Sequence, residues 1–276
     1  MQTHFLPRRS IPIFRQAYAI WSRTPVKRVL VFVHGFRGHA VETWTKFDEL
    51  LPQEPGCVGL DYIFYGYDAF RSELLAIAGE FRGFLIRLLA DPSEVSNPML
   101  PIQSQRPPTP YDEVILVGHS LGAVLIREAL LELQKLDVPG LQTISMILFA
   151  PAHRGAYLAR LLKETLSPIP LLNLLAGGVK YASPLIDQLL PESQELVDLH
   201  NMTKRALESG GSEYLVAKQV FIAKRESVVL NLPFCQDPPP VVLDSDHISI
   251  CKPRDSSSPC LGHLVNSIRP KVAGAQ

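Results

Sequence analysis

The chain has 276 residues, 46% of them hydrophobic and 20% charged, and its 27 basic side chains are matched by 27 acidic ones for a formal net charge of zero. That balance leaves no global field to recruit nucleic acid or an anionic membrane, and the length suits a single α/β domain, residues 1–276, with room for an insertion. The four cysteines, Cys57, Cys235, Cys251 and Cys260, lack the spacing of a zinc site or a redox dithiol, so ordinary thiols and no metal are expected.

In chain order, the opening segment MQTHFLPRRSIPIFRQ carries an arginine pair but neither an apolar signal region nor a small-residue cleavage site. No apolar run is long enough to span a bilayer, and a cytoplasmic location is the expectation. Ala17 to Ser22 predicts a short edge strand. Val26 to Val33, VKRVLVFV, predicts a buried strand running into His34-Gly35-Phe36. A His-Gly turn after a central strand is one way to aim a backbone N–H at a developing oxyanion, and the Phe36 amide is the candidate donor. His34 itself is read as a brace for that loop. Gly38 to Leu51 mixes a polar loop with Trp44, Phe47, Leu50 and Leu51 at helix-like intervals, a segment expected to cover one edge of the sheet.

Tyr62 to Tyr67 predicts the next strand, with Asp68 at its end as a turn cap or a substrate contact. From Phe70 to Leu89 apolar residues recur at helical spacing, which predicts one long crossover helix. Asp91 to Pro110, DPSEVSNPMLPIQSQRPPTP, cannot continue it and is expected to be an exposed excursion.

The stretch VILVGHSLGAVLIREAL, Val114 to Leu130, organises the rest. Four apolar residues that suit a strand buried on both faces meet Gly118-His119-Ser120-Leu121-Gly122, and a helical pattern follows at once. Glycines two residues either side of Ser120 permit a sharp strand-to-helix bend that lifts a hydroxyl into the open, the arrangement of a nucleophile elbow. Ser120 is therefore the candidate nucleophile, and the Leu121 amide is the second candidate oxyanion donor.

Ile144 to Phe149 predicts another buried strand, ending in Ala150-Pro151-Ala152-His153. His153 precedes any candidate acid and is not read as the base. Between Ala156 and Ser212 leucines recur in short helical runs broken by Pro168 and Pro170, which predicts a helical cap at about 156–213 between core segments at about 17–155 and 214–270. Val216 to Ala223 predicts the strand that delivers Glu226, a carboxylate placed to accept from a histidine's Nδ1–H, with Asp244 and Asp246 as the alternatives. Val241 to Leu243 predicts a last strand leading to His247, which follows both strand and acid and is the candidate general base. Leu261 to Ile268 predicts the closing helix, with a frayed VAGAQ tail.

Taken together, the blocks VFVHGFRGHAVETW, IFYGYD, VILVGHSLGAVLIREAL, ILFAPAHRG and DHISICKP resemble the α/β-hydrolase superfamily, and more narrowly the intracellular serine esterases that include GPI inositol-deacylase and its lipase-like relatives. The resemblance implies an α/β-hydrolase fold, a mostly parallel central sheet with helices on both faces, in which the leucine-rich stretch read above is the helical cap inserted before the acid-bearing strand. It also implies a Ser/acid/His triad, here Ser120–Glu226–His247, an oxyanion hole after the His-Gly loop and a small-molecule or lipid ester substrate; transient contact with a lipid surface is compatible with that reading, and the chemistry calls for no cofactor. Two blocks depart from the family pattern: APAHRG stands where many relatives have GTPHRG, and Glu226 stands where Asp is more usual. The same triad would serve a thioesterase, an amidase or an acyltransferase, and a non-catalytic signalling or lipid-surface module on this scaffold is the rival from another class.

Overall fold

The computed structural model describes residues 11–12, 16–22, 24–69, 72–97, 99, 105–157, 184–210 and 212–269. Its strands are β1 (Ile11–Pro12), β2 (Tyr18–Ile20), β3 (Arg28–Val33), β4 (Asp61–Tyr65), β5 (Glu113–His119), β6 (Ile144–Phe149), β7 (Ala217–Arg225) and β8 (Val241–Asp246). Its helices are α1 (Phe47–Leu50), α2 (Leu74–Ala90), α3 (Leu121–Lys135), α4 (Pro184–Gln188), α5 (Gln194–Glu208) and α6 (Pro259–Ile268).

One sheet joins the strands in the order β1-β2-β4-β3-β5-β6-β7-β8. From β4 to β8 every neighbouring pair is parallel, while β1 and β2 run antiparallel at one end. The segment expected as an edge strand is β2, and it lies one place in from the edge. The two-residue β1, one residue of which is Pro12, covers it and is too short to leave a periodic signal.

The central strands are buried along almost their whole length because they are covered on both faces. On one face α2, α3 and α5 pack side by side, and Gly118 of β5 lies directly under Ala123 and Ile126 of α3. The neighbouring residue His119 points the other way, toward Trp44 at 6.4 Å between rings. Trp44 in turn meets Phe149, Phe149 meets Phe221, and Phe221 reaches His263 of α6. Phe32 stacks on Phe64 at 4.9 Å and takes the edge of Trp44 at 5.0 Å on this second face. Buried aromatic contacts of this kind add about 0.5–1.5 kcal/mol each beyond the area they remove from water.

One expectation changes in detail. The Asp91–Pro110 excursion is exposed only in part, since Val95 and Arg106 are buried and Pro92–Val95 forms a 3-10 turn. Arg106 goes inward because its guanidinium meets Asp61, a pairing that local composition does not reveal. Within the segment expected to form a cap, residues 158–183 lie outside the described residues. The part that is described ends in α5, which packs against α3 in the crossover layer. Among the described residues no helix is long and apolar enough to cross a membrane. The tail 270–276 also lies outside them.

Candidate active site

The bend between β5 and α3 is as tight as its glycines suggest. A Cβ on Gly122 would sit 2.1 Å from the Val33 carbonyl oxygen, so α3 approaches β3 at a distance only glycine permits. Ser120 holds φ 52 and ψ −117, a left-handed conformation that a β-carbon disfavours. Backbone bonds on three sides keep it there. Its N–H donates to the Phe149 carbonyl at 3.0 Å, and its own carbonyl accepts from Ala123 at 3.1 Å and Ala152 at 3.2 Å. The residue is 3% exposed.

The turn after β7 places Glu226 against the turn after β8. Oε1 of Glu226 accepts from the Val228 and Val229 amides at 2.8 and 3.1 Å, and Oε2 lies 3.0 Å from Nδ1 of His247. Both side chains are 2% exposed. Burial would raise the Glu226 carboxyl, but the bonds from His247, Val228 and Val229 outweigh it and hold the group below the usual glutamate range. An ionised carboxylate accepts only, so Nδ1–H of His247 is the donor in this contact and Nε2 is left out of it. The two alternative acids are engaged elsewhere. Asp244 is exposed and pairs with Arg225 at 2.5 Å, while Oδ1 of Asp246 accepts from the Ile248 and Ser249 amides and the Ser249 hydroxyl.

The His34-Gly35-Phe36 turn lies against the elbow: a Cβ on Gly35 would fall 3.0 Å from both Ser120 Cβ and His119 Nδ1. Phe36 and Leu121, the two candidate oxyanion donors, have amides with no acceptor among the described residues. His34 braces this loop, as its sequence position suggests. Its Nδ1–H donates to the Gly35 carbonyl at 2.8 Å, its Nε2 accepts from the Tyr67 amide at 3.3 Å, and its ring stacks on Tyr67 at 4.1 Å. Burial pushes its pKa down to about 4, so it is neutral at physiological pH. His153 is likewise structural: Nε2–H donates to the Ala123 carbonyl at 3.0 Å and the ring stacks on Phe234. Asp68 is exposed beyond the end of β4.

One residue of this neighbourhood has no role in the sequence reading. His119 joins the strand of the candidate nucleophile to the candidate base, since its Nε2 lies 2.9 Å from the His247 carbonyl oxygen and the two imidazoles stand 4.9 Å apart. It occupies the variable position of the G-x-S-x-G motif, and that adjacency to Ser120 is the only signal the sequence offers. Among the described residues, no cluster of three or more His, Cys, Asp or Glu side chains is arranged to hold a metal ion.

A mostly parallel sheet covered on both faces, with a strained serine between its central strand and the following helix, is the α/β-hydrolase architecture. The chain belongs to the alpha/beta hydrolase family, whose profile matches residues 30–251. Among solved structures it is similar to the lipase BlEst2 of Bacillus licheniformis in its mature form, at 16% identity and a TM-score of 0.52 over 90% of this chain and 97% of that one. The propeptide form of the same lipase superposes with a TM-score of 0.54 at 14% identity, covering 94% of this chain and 55% of that one. Phospholipase PlaB from Legionella pneumophila aligns at 18% identity and a TM-score of 0.48 over 72% of this chain and 39% of that one. At such identities the likeness is one of fold. No curated protein matches the sequence.

Proposed function

We propose that this chain is a serine hydrolase that cleaves carboxylic esters through an acyl-enzyme intermediate. The observation that carries the reading is the Glu226–His247 pair, buried and held to the strand end that presents Ser120. Ser120 is the nucleophile, His247 the base and Glu226 the acid that fixes the imidazole's tautomer and balances its charge once protonated. As Ser120 Oγ attacks the acyl carbon, His247 Nε2 takes its proton. The amides of Phe36 and Leu121 stabilise the tetrahedral oxyanion, each such donor being worth about 100-fold to 1,000-fold in rate. The carbon–oxygen bond to the leaving group then breaks and His247 returns the proton to the departing alcohol. Water repeats the sequence on the acyl-enzyme, releasing the carboxylic acid and restoring the serine. No step calls for a cofactor.

The finer reading joins the sequence resemblance to the GPI inositol-deacylase-like esterases with the leucine-rich composition of 156–213: a single domain with that insertion as a cap over the site, acting in the cytoplasm on lipid-like or medium-chain acyl esters. A fluorophosphonate probe tests the chemistry. It is expected to label wild-type protein on one peptide, the one containing Ser120, and to leave Ser120→Ala unlabelled. Labelling that survives Ser120→Ala, or none in wild type, overturns the assignment. Turnover of p-nitrophenyl esters that rises from acetate to octanoate supports the acyl preference, and a flat or falling series overturns it.

A further inference from the structure

The sequence motif makes His119 a spacer between Gly118 and Ser120, yet its side chain contacts the other half of the site. A backbone carbonyl only accepts, so the 2.9 Å contact with the His247 oxygen fixes the proton on Nε2 of His119. Nδ1 is then an acceptor, and it is buried with no partner among the described residues. His153 shares that unpaired Nδ1, so what sets His119 apart is its acceptor: its Nε2–H goes to the backbone of His247, 128 residues away. Burial, then the neighbouring His247, hold the imidazole's pKa well below its ordinary value, so it stays neutral and its one donor stays on Nε2.

The loop that carries His247 is restrained from two directions. Internally, Asp246 Oδ1 accepts from the Ile248 and Ser249 amides, and Ser249 Oγ accepts from the Asp246 amide. That turn sets the loop's shape. His119 instead ties the loop to the residue before the nucleophile, and its ring meets Trp44 on one side and the oxyanion turn at Gly35 on the other. A single peptide unit separates the residue that attacks from the residue that holds the base.

Building on the serine-hydrolase reading, we propose that His119 is a positioning residue: its Nε2–H, by gripping the His247 carbonyl, sets the distance and angle between the base and Ser120. A slack loop would leave substrate binding intact but spoil the geometry of proton transfer. Misplacement of a catalytic group by about 1 Å is enough for a loss of about 100-fold. His119→Phe keeps the ring and its packing on Trp44 but has no donor, whereas His119→Gln places an amide N–H about where Nε2–H stands.

The test measures kcat and KM for p-nitrophenyl butyrate per mole of folded protein, together with fluorophosphonate labelling of Ser120. His119→Phe is expected to lower kcat by about 10-fold to 100-fold with KM within about twofold of wild type, and His119→Gln to recover kcat to within about threefold. A merely structural histidine would lower the unfolding midpoint without this split and without rescue. The proposal is overturned if His119→Phe turns over within about threefold of wild type, if the loss lies in KM, or if His119→Gln is as slow as His119→Phe. Wild-type protein that does not label at all overturns the underlying reading and this inference together. Labelled wild type beside an equally fast His119→Phe overturns this inference alone.

Discussion

Asp61 and Glu226 are both carboxylates buried beside a nitrogen base, but they stand at opposite ends of the sheet. Asp61 opens β4, at the end where the parallel strands begin, and its side chain is 1% exposed. It accepts from the Ser22 amide, the Tyr111 hydroxyl and the Arg106 guanidinium, each at 2.7 Å, while Arg106 also donates to the Val26 carbonyl. Burial pushes its carboxyl up to about 6 in spite of those partners. Every bond in this cluster ends inside the protein, and its cation never releases a proton. Glu226 follows β7, at the end where the strands finish, and its partner is the Nδ1 of an imidazole. The first arrangement closes a seam, and the second is the pair to which the proposed function gives the chemistry. A buried carboxylate is therefore not by itself a signature of function; its partner and the end of the sheet at which it lies are what single out Glu226 in the proposed function.

Breaking each pair separates the two roles. The largest effect is expected from Glu226→Gln, because the amide's oxygen can still accept from Val228 and Val229 while its NH2 faces Nδ1 and selects the wrong tautomer. A loss of about 10,000-fold in kcat is expected, measured on p-nitrophenyl butyrate, with little change in the urea unfolding midpoint. Asp61→Asn comes next. It leaves Arg106 buried with no compensating charge, and destabilisation of about 3–5 kcal/mol is expected by urea unfolding at pH 7, with activity per folded molecule unchanged. The smallest effect concerns pH. His34 is neutral in the native state down to about 4, while an unfolded histidine takes its proton near 6.5. The unfolded state therefore binds the proton first as pH falls, and the stability His34 contributes is full above 6.5 and lost through the window down to about 4. Wild type should lose on the order of 3 kcal/mol more than His34→Phe between pH 7 and pH 4 in paired urea titrations.

The two ends also differ in how much of them the sequence discloses. Ser120, Glu226 and His247 are legible because each follows a β-rich run, and strand ends are where such runs point. The bend needs glycine on both sides of the serine, so it leaves a local mark. The Asp61–Arg106 seam leaves none: Arg106 sits in a proline-rich polar stretch, and only the tertiary position of Asp61, 45 residues earlier in the 276-residue chain, draws it inward. His119 fails to stand out for a different reason, since the motif that marks Ser120 accepts any residue at that place. β1 is too short for a period, and its place at the sheet edge comes from pairing with β2 alone.

The most direct measurement puts Glu226→Gln and Asp61→Asn through the same two assays, kcat per folded molecule and urea midpoint, side by side. The account predicts opposite patterns: kcat collapses at an almost unchanged midpoint for Glu226→Gln, and the midpoint falls at an unchanged kcat for Asp61→Asn. A Glu226→Gln variant that keeps kcat to within about tenfold, or that loses stability as Asp61→Asn does, would contradict it.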